Sequence, residues 1–277
     1  MQGMNSQAEH ATNLHLRGAM LSNPGMARST NEDRAAYIIP GVNDPRFGHG
    51  SLAIVADGMG GHAAGEVASA IAVEVISKKY YETEGPVGDA LEAGLQVANA
   101  AIYEAAARNA GLAGMGTTCT ALAIRDGMAY WAHVGDSRLY LLRDAELQQL
   151  SEDQSLVMDL VRSGAMTTEQ ARLSPERNII LRALGTRPSV EIEVRREGMP
   201  LQPGDSLLLC SDGLTDLVDD EAIRRILSEN SPFDACEKLI KWALHQGGDD
   251  NVTVGVFSLF PELPPVSETV ADTRSSL

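Results

Sequence analysis

An α+β fold of stacked antiparallel sheets covered by helices is what the sequence predicts, on three observations. Strand patterns crowd together between residues 118 and 150 with two-residue connections, too short for the crossover a parallel pair needs. Long helical stretches separate groups of strands instead of alternating with them one for one, so repeated βαβ units do not emerge. No internal repeat or long linker divides the 277 residues, and 44% of them are apolar, enough for one sizeable core.

In chain order, residues 1–14 carry no apolar pattern and are expected to be a flexible start to a domain spanning 15–260. Strand patterns at 35–40 and 50–56 precede helical ones at 64–79 and 89–109. The second helix is Ala-rich, with Leu91, Leu95, Ala98 and Ile102 on one face and Gly111 placed to follow its end. Then come strands at 118–125, 128–134, 137–143 and 146–150, the first two joined by Asp126-Gly127, the signature of a two-residue hairpin turn. Residues 155–187 are polar and Arg-rich and read as helical turns and loops projecting from the body. Strands at 190–195 and 206–211 lead to helices at about 220–228 and 232–246, the latter opened by Ser231 as N-cap and Pro232 in its first turn. A last strand at 252–259 closes the domain, and 261–277 reads as a flexible tail.

Composition excludes several classes of function. A formal charge of −16 argues against nucleic acid, whose phosphates are bound by an excess of Lys and Arg. The N-terminal MQGMNSQAEHATN has neither the basic nor the apolar region of a secretion signal, and no apolar run approaches the roughly 20 residues that span a bilayer. A cytoplasmic protein without a membrane partner is the expectation. Cys119, Cys210 and Cys236 are odd in number and widely spaced, which suits buried thiols better than disulfides or a zinc site.

The chemistry is read from carboxylates at strand boundaries. Asp57 follows SLAIVA, Asp212 follows SLLLCS, Asp136 follows WAHVG, Asp250 introduces the last strand and Asp33 precedes the first. Each alone is an ordinary turn or cap. Five strand ends from packed sheets can converge on one cleft, however, and five carboxylates there would repel one another unless a cation were bound. Mg²⁺ and Mn²⁺ take carboxylates, carbonyls and water without requiring His or Cys, and the six His residues fall into no ligand spacing. Two such ions lower the pKa of a shared water and stabilise in-line displacement at phosphorus. Arg28, five residues before Asp33, is a candidate phosphate partner.

The ordered set RSTNED, DGMGGH, GMGTT, HVGDSRLYLLRD, RNIILRALG, CSDGLTDL and DDNVTV resembles the type 2C, metal-dependent Ser/Thr protein phosphatases in their bacterial form, over roughly residues 15–259. The resemblance implies a β-sandwich of two antiparallel sheets flanked on both sides by helix pairs, with a dinuclear Mn²⁺ or Mg²⁺ centre at one edge. By position, Asp57 resembles the carboxylate bridging the two ions and Gly58 a ligand through its backbone carbonyl. Asp212 and Asp250 resemble the remaining direct ligands and Asp33 a carboxylate holding metal-bound water. Glu32 and Asn251 would stand one layer behind. Asp136 with Asp212 resembles the pair that holds a third ion in bacterial members, Arg28 the phosphate clamp, and 155–187 the flap subdomain. The implied reaction is attack of metal-bound hydroxide on phosphoserine or phosphothreonine of proteins, by a monomer that reverses a cognate Ser/Thr kinase. Two positions depart from the pattern. Met59 stands where eukaryotic members carry a histidine proposed as general acid, which leaves His62 or a metal-bound water for that role, and Gln154 replaces a His of many relatives.

Four other readings compete. Cys119 to Arg125 satisfies the C-x₅-R spacing of cysteine phosphatases, yet the run alternates like a strand instead of forming a phosphate loop. Gly58, Gly60 and Ala63 mimic a dinucleotide-binding turn, as in an oxidoreductase, but Asp57 would then face the pyrophosphate as a like charge. A phosphatase-like regulator or phosphoprotein-binding module of the same fold would be expected to lack one of the aspartates. Phosphatases of anti-sigma antagonist proteins are disfavoured by Arg28 and the flap-like segment.

Overall fold

The computed structural model describes residues 14–60 and 64–261. One five-stranded sheet runs in the order β1 (Leu14–Asn23), β12 (Val252–Pro261), β11 (Ser206–Cys210), β8 (Arg138–Arg143) and β9 (Glu146–Gln149). The other runs β10 (Glu193–Pro200), β7 (Met128–Val134), β6 (Cys119–Arg125), β3 (Ser51–Ala56) and β2 (Arg34–Ile38). Every neighbouring pair in both is antiparallel; two-residue connections require this of β6 with β7 and of β8 with β9, whereas β7 and β8, expected from their short connection to be neighbours, lie in different sheets, and residues 135–137 cross from one to the other. A short ribbon of β4 (Gly58–Met59) and β5 (Gly116–Thr117) sits beside them.

Side chains of a strand alternate between its faces, and here both faces are covered. Ala53 and Val55 of β3 meet Leu207 and Leu209 of β11 and Phe257 of β12 between the sheets. The opposite set of β3, Leu52, Ile54 and Ala56, packs under α1 (Ala64–Glu82) and α2 (Val87–Arg108). Leu208 and Cys210 of β11 pack under α6 (Asp220–Glu229) and α7 (Pro232–His245). The layers are therefore helix pair, sheet, sheet, helix pair, and each fully buried Leu or Ile stabilises them by about 1.5–3 kcal/mol. Ser231 caps α7 by accepting from the Asp234 N–H, with Pro232 in the first turn.

Between β9 and β10 lie α3 (Leu156–Arg162) and α4 (Thr168–Arg172) with their loops. This segment is closed at its base by the pairing of Ser155 with Ile180 and of Thr117 with Leu184.

Several expectations need correction. Residues 14–23 form β1, which had no strand pattern of its own because Gly18, Arg17 and Ser22 interrupt it; full-length pairing with β12 supplies the order. Leu14 and Pro261, placed in the flexible ends by sequence, pair with each other, so the outer expected boundaries shift by one residue; the remaining terminal residues lie outside those described. The strand expected at 190–195 is β10 at 193–200, bent by an irregularity between Arg195 and Met199. Gly111 does not terminate α2: Asn109 in an extended conformation does, its side chain accepting from the Gly111 N–H within a 3-10 turn.

A candidate metal centre at one edge of the sandwich

Antiparallel register decides where strand ends go. Arg34 pairs with Ala56 and Val55 with Thr120, so the start of β2, the end of β3 and the start of β6 share one edge. Cys119 pairs with Val134, which brings the end of β7 to it. In the other sheet Cys210 pairs with Val254 and Arg138, so β11 ends where β12 begins. The five aspartates expected from sequence accordingly stand at strand boundaries along one edge of the sandwich.

Asp33 is buried, 1% exposed. Its Oδ2 accepts from Ser211 Oγ at 2.8 Å and Thr253 Oγ1 at 2.7 Å. Burial pushes its carboxyl up to about 6 against those hydrogen bonds. The Asp57 backbone is gripped on both sides: its N–H donates to Thr118 Oγ1 at 3.0 Å, while its carbonyl accepts from the Thr118 N–H at 2.9 Å and from Thr117 Oγ1 at 2.8 Å. Burial, and then the charges of Asp33, Asp212 and Asp136, hold the Asp57 carboxyl well above the usual carboxylate range. Asp136 is raised by burial and by Asp212. Asp212, opening the one-turn α5 (Asp212–Thr215), is pushed up to about 7 by burial and then by Asp216.

Asp250 and Arg28 are brought together, but against each other: Arg28 Nη2 donates to Asp250 Oδ2 at 2.7 Å. The arginine is half exposed, and an ion pair of that kind contributes only about 0–1 kcal/mol, so either partner is readily exchanged for a better one. Asn251 holds the loop that carries Arg28. Its Oδ1 accepts from the Glu32 N–H at 2.7 Å, and its Nδ2 donates to the carbonyls of Pro24 and Thr30 at 2.9 and 3.0 Å.

Gly58 and Gly65 allow three segments to touch. A Cβ on Gly58 would collide with the Gly65 carbonyl oxygen and come within 2.6 Å of that of Glu32, while one on Gly65 would lie 2.8 Å from Glu32 Oε2. Glu32 is thereby set against the first turn of α1, its carboxyl raised by burial. Met59 pairs with Gly116 in the ribbon, and His62 lies outside the described residues.

Five side chains without an expected role support the site: Ser211, Thr253, Thr117, Thr118 and Ser137, the last bonded to Thr118 Oγ1 at 2.8 Å. All lie inside the motifs quoted above, and their small hydroxyls beside carboxylates were the available signal. Gln154 also gains a function, because its Oε1 accepts from the Gly135 N–H at 3.1 Å and its own N–H donates to the Gly135 carbonyl at 2.7 Å. It fixes the turn that presents Asp136.

The donor set fits a hard divalent cation. Among the described residues, Asp33 Oδ1, Asp136 Oδ1 and Asp212 Oδ1 are buried carboxylate oxygens with no hydrogen-bond partner in the protein, a set that a divalent cation and its bound water would satisfy. No three of the described acidic, His or Cys side chains already close on one point. Asp250 is drawn to Arg28 instead.

The rival readings meet specific obstacles. Cys119 to Arg125 is the whole of β6, with Cys119 fully buried and its thiol raised by burial. The strand before the glycine-rich turn has only antiparallel neighbours, where a dinucleotide site requires parallel ones.

Known proteins resemble this chain in sequence and in fold. A family model described as protein phosphatase 2C matches residues 44–242. The serine/threonine protein phosphatase PstP of Mycobacterium tuberculosis is 39% identical over 88% of this chain, which spans 45% of that protein's length. Protein phosphatase PhpP of Streptococcus pneumoniae is 37% identical over 88% of this chain and 98% of its own. The crystal structure of the catalytic domain of PstP in complex with two manganese ions superposes with a TM-score of 0.76 at 37% identity, covering 90% of this chain and all of that one.

Proposed function

The chain belongs to the protein phosphatase 2C family, and from that premise we propose that it hydrolyses phosphoserine and phosphothreonine esters in proteins with Mn²⁺ or Mg²⁺ held by its strand-end carboxylates. The observation that carries this reading is the set of three buried, unpartnered carboxylate oxygens on one edge of the sandwich. Asp57, Asp212 and Asp250 would supply side-chain ligands and Gly58 its carbonyl for two ions, with Asp136 and Asp212 facing a third. Bound there, the ions would supply Lewis acidity toward water and the phosphoryl oxygens. Asp33, fixed by Ser211 and Thr253, would orient a water through its remaining oxygen. Arg28 would leave Asp250 for the phosphate, converting an exposed ion pair into a charge-assisted bidentate contact. Asn251 would keep the Arg28 loop in reach of the cleft, and Gln154 would hold the Asp136 turn.

A bacterial cell, a cytoplasmic site of action, a monomer and an opposing Ser/Thr kinase accompany the proposal; residues 155–187 are its flap. Among the described residues no helix is long and apolar enough to cross a membrane.

The test is phosphate release from a phosphothreonine peptide. Turnover is expected with Mn²⁺, with a loss of about 10²-fold or more on adding EDTA and none on treating the protein with iodoacetamide, since all three cysteines are buried. Binding of the phosphopeptide without release would favour a phosphatase-like regulator instead.

A further inference from the structure

The cavity that Asp136 and Asp212 line continues between α4 and the start of α6, with a volume of about 430 Å³, within the roughly 300–1,000 Å³ range of ligand pockets. Its walls combine two chemistries. Val157, Ala171 and Val218, all buried, form an apolar floor. The rim is charged, and part of its charge is matched. Arg138 pairs with Asp153 at 2.6 Å, Arg177 with Asp216 at 3.1 Å and Glu221 with Arg224 at 2.6 Å. Left over are Glu169, Asp219 and Asp220 against Arg172. Among the described residues Asp219 accepts only from the Ala222 N–H and Asp220 from the Tyr140 hydroxyl, both neutral donors that leave the carboxylate charge in place. One wall of the cavity also holds Asp136, 7% exposed with an unpartnered carboxylate oxygen, so the acidic rim adjoins a buried group that itself calls for a cation.

We infer that this cavity receives a Lys or Arg side chain flanking the phosphorylated residue of the substrate, its aliphatic stem over Val157 and Val218 and its cationic head among Glu169, Asp219 and Asp220. A long cationic side chain satisfies an apolar floor and an acidic rim together, its stem on the one and its head on the other. An acidic neighbour would meet uncompensated like charge, so selection works by exclusion as well as by attraction. The inference rests on the hydrolytic reading above and specifies its substrate class.

The experiment compares phosphothreonine peptides identical except for Lys or Glu at each of three positions on either side of the phosphorylated residue, assayed with Mn²⁺ alongside p-nitrophenyl phosphate. For at least one position kcat/KM is expected to favour Lys over Glu by roughly five- to tenfold, the preference shrinking as salt is added. The double variant Glu169→Gln, Asp219→Asn, in which asparagine preserves the helix cap, should bring the ratio close to one while leaving p-nitrophenyl phosphate turnover unchanged. Equal rates or a preference for Glu in the natural protein, or a preference for Lys that survives in the double variant, overturns the inference while the hydrolytic reading stands. No turnover of any substrate overturns both.

Discussion

Asp57→Asn is expected to lower kcat on a phosphothreonine peptide by about 10³-fold or more, some 4 kcal/mol of transition-state stabilisation, while leaving the metal-free protein at least as stable as before. The two halves have one cause. Asparagine keeps the size of the side chain, and the backbone clamp from Thr117 and Thr118 does not depend on the carboxylate. The negative charge facing Asp33, Asp212 and Asp136 is lost. Without a cation that charge is a burden, so its removal should stabilise the metal-free protein by about 0.5–2 kcal/mol; with one it is a ligand, so the rise in Tm on adding Mn²⁺ should shrink. Measuring phosphate release together with Tm, with and without Mn²⁺, checks both. A variant within tenfold of the natural rate, or an undiminished Mn²⁺-dependent rise in Tm, would remove Asp57 from the centre.

Gly65→Ala carries the second large effect, and two principles disagree about its sign. Gly65 lies in the first turn of α1, and helix propensity alone favours alanine by about 1 kcal/mol. The new methyl group, however, would come within 2.7 Å of the Gly58 carbonyl carbon and 2.8 Å of its oxygen, both backbone atoms with no rotamer to escape into. Overpacking of this kind typically costs 1–3 kcal/mol. Because neither backbone atom can move aside, the cost falls in the upper half of that range, and the net expectation is a loss of about 1–2 kcal/mol in urea unfolding, accompanied by lost activity because Gly58 and Asp57 are displaced together. Equal or greater stability of the variant would show that the contact is loose.

That contact also marks the limit of what local sequence reveals. The dipeptide Asp-Gly occurs at 126–127 as a hairpin turn with both residues at positive φ and at 57–58 and 212–213 as part of the site, and the neighbouring residues alone distinguish the first from the others. Of the glycines around Asp57, Gly60 has positive φ where the chain leaves β4, whereas Gly58 and Gly65 touch. Of the pair in contact neither has positive φ, and their role is close approach, which depends on Glu32 and on a helix that sequence cannot place. The strands with alternating apolar residues were legible, down to the hairpins between residues 118 and 150. β1 was not, because its order comes from a partner more than 200 residues away. The five aspartates were legible as a set because each stands at a strand boundary. The ion pair of Arg28 with Asp250 and the Asn251 bridge to Pro24, Thr30 and Glu32 join opposite ends of the chain, and no spacing encodes them.

The central claim, that these carboxylates make a divalent-cation centre which hydrolyses phosphate esters, is tested most directly by calorimetric titration of the metal-stripped protein with Mn²⁺, with phosphate release from a phosphothreonine peptide measured on the same samples. The expected result is binding of at least two ions, with activity absent at the start, rising in step with occupancy, and lost together with binding in Asp250→Ala. Full activity in the metal-stripped protein, or activity that Asp250→Ala leaves intact, would contradict it.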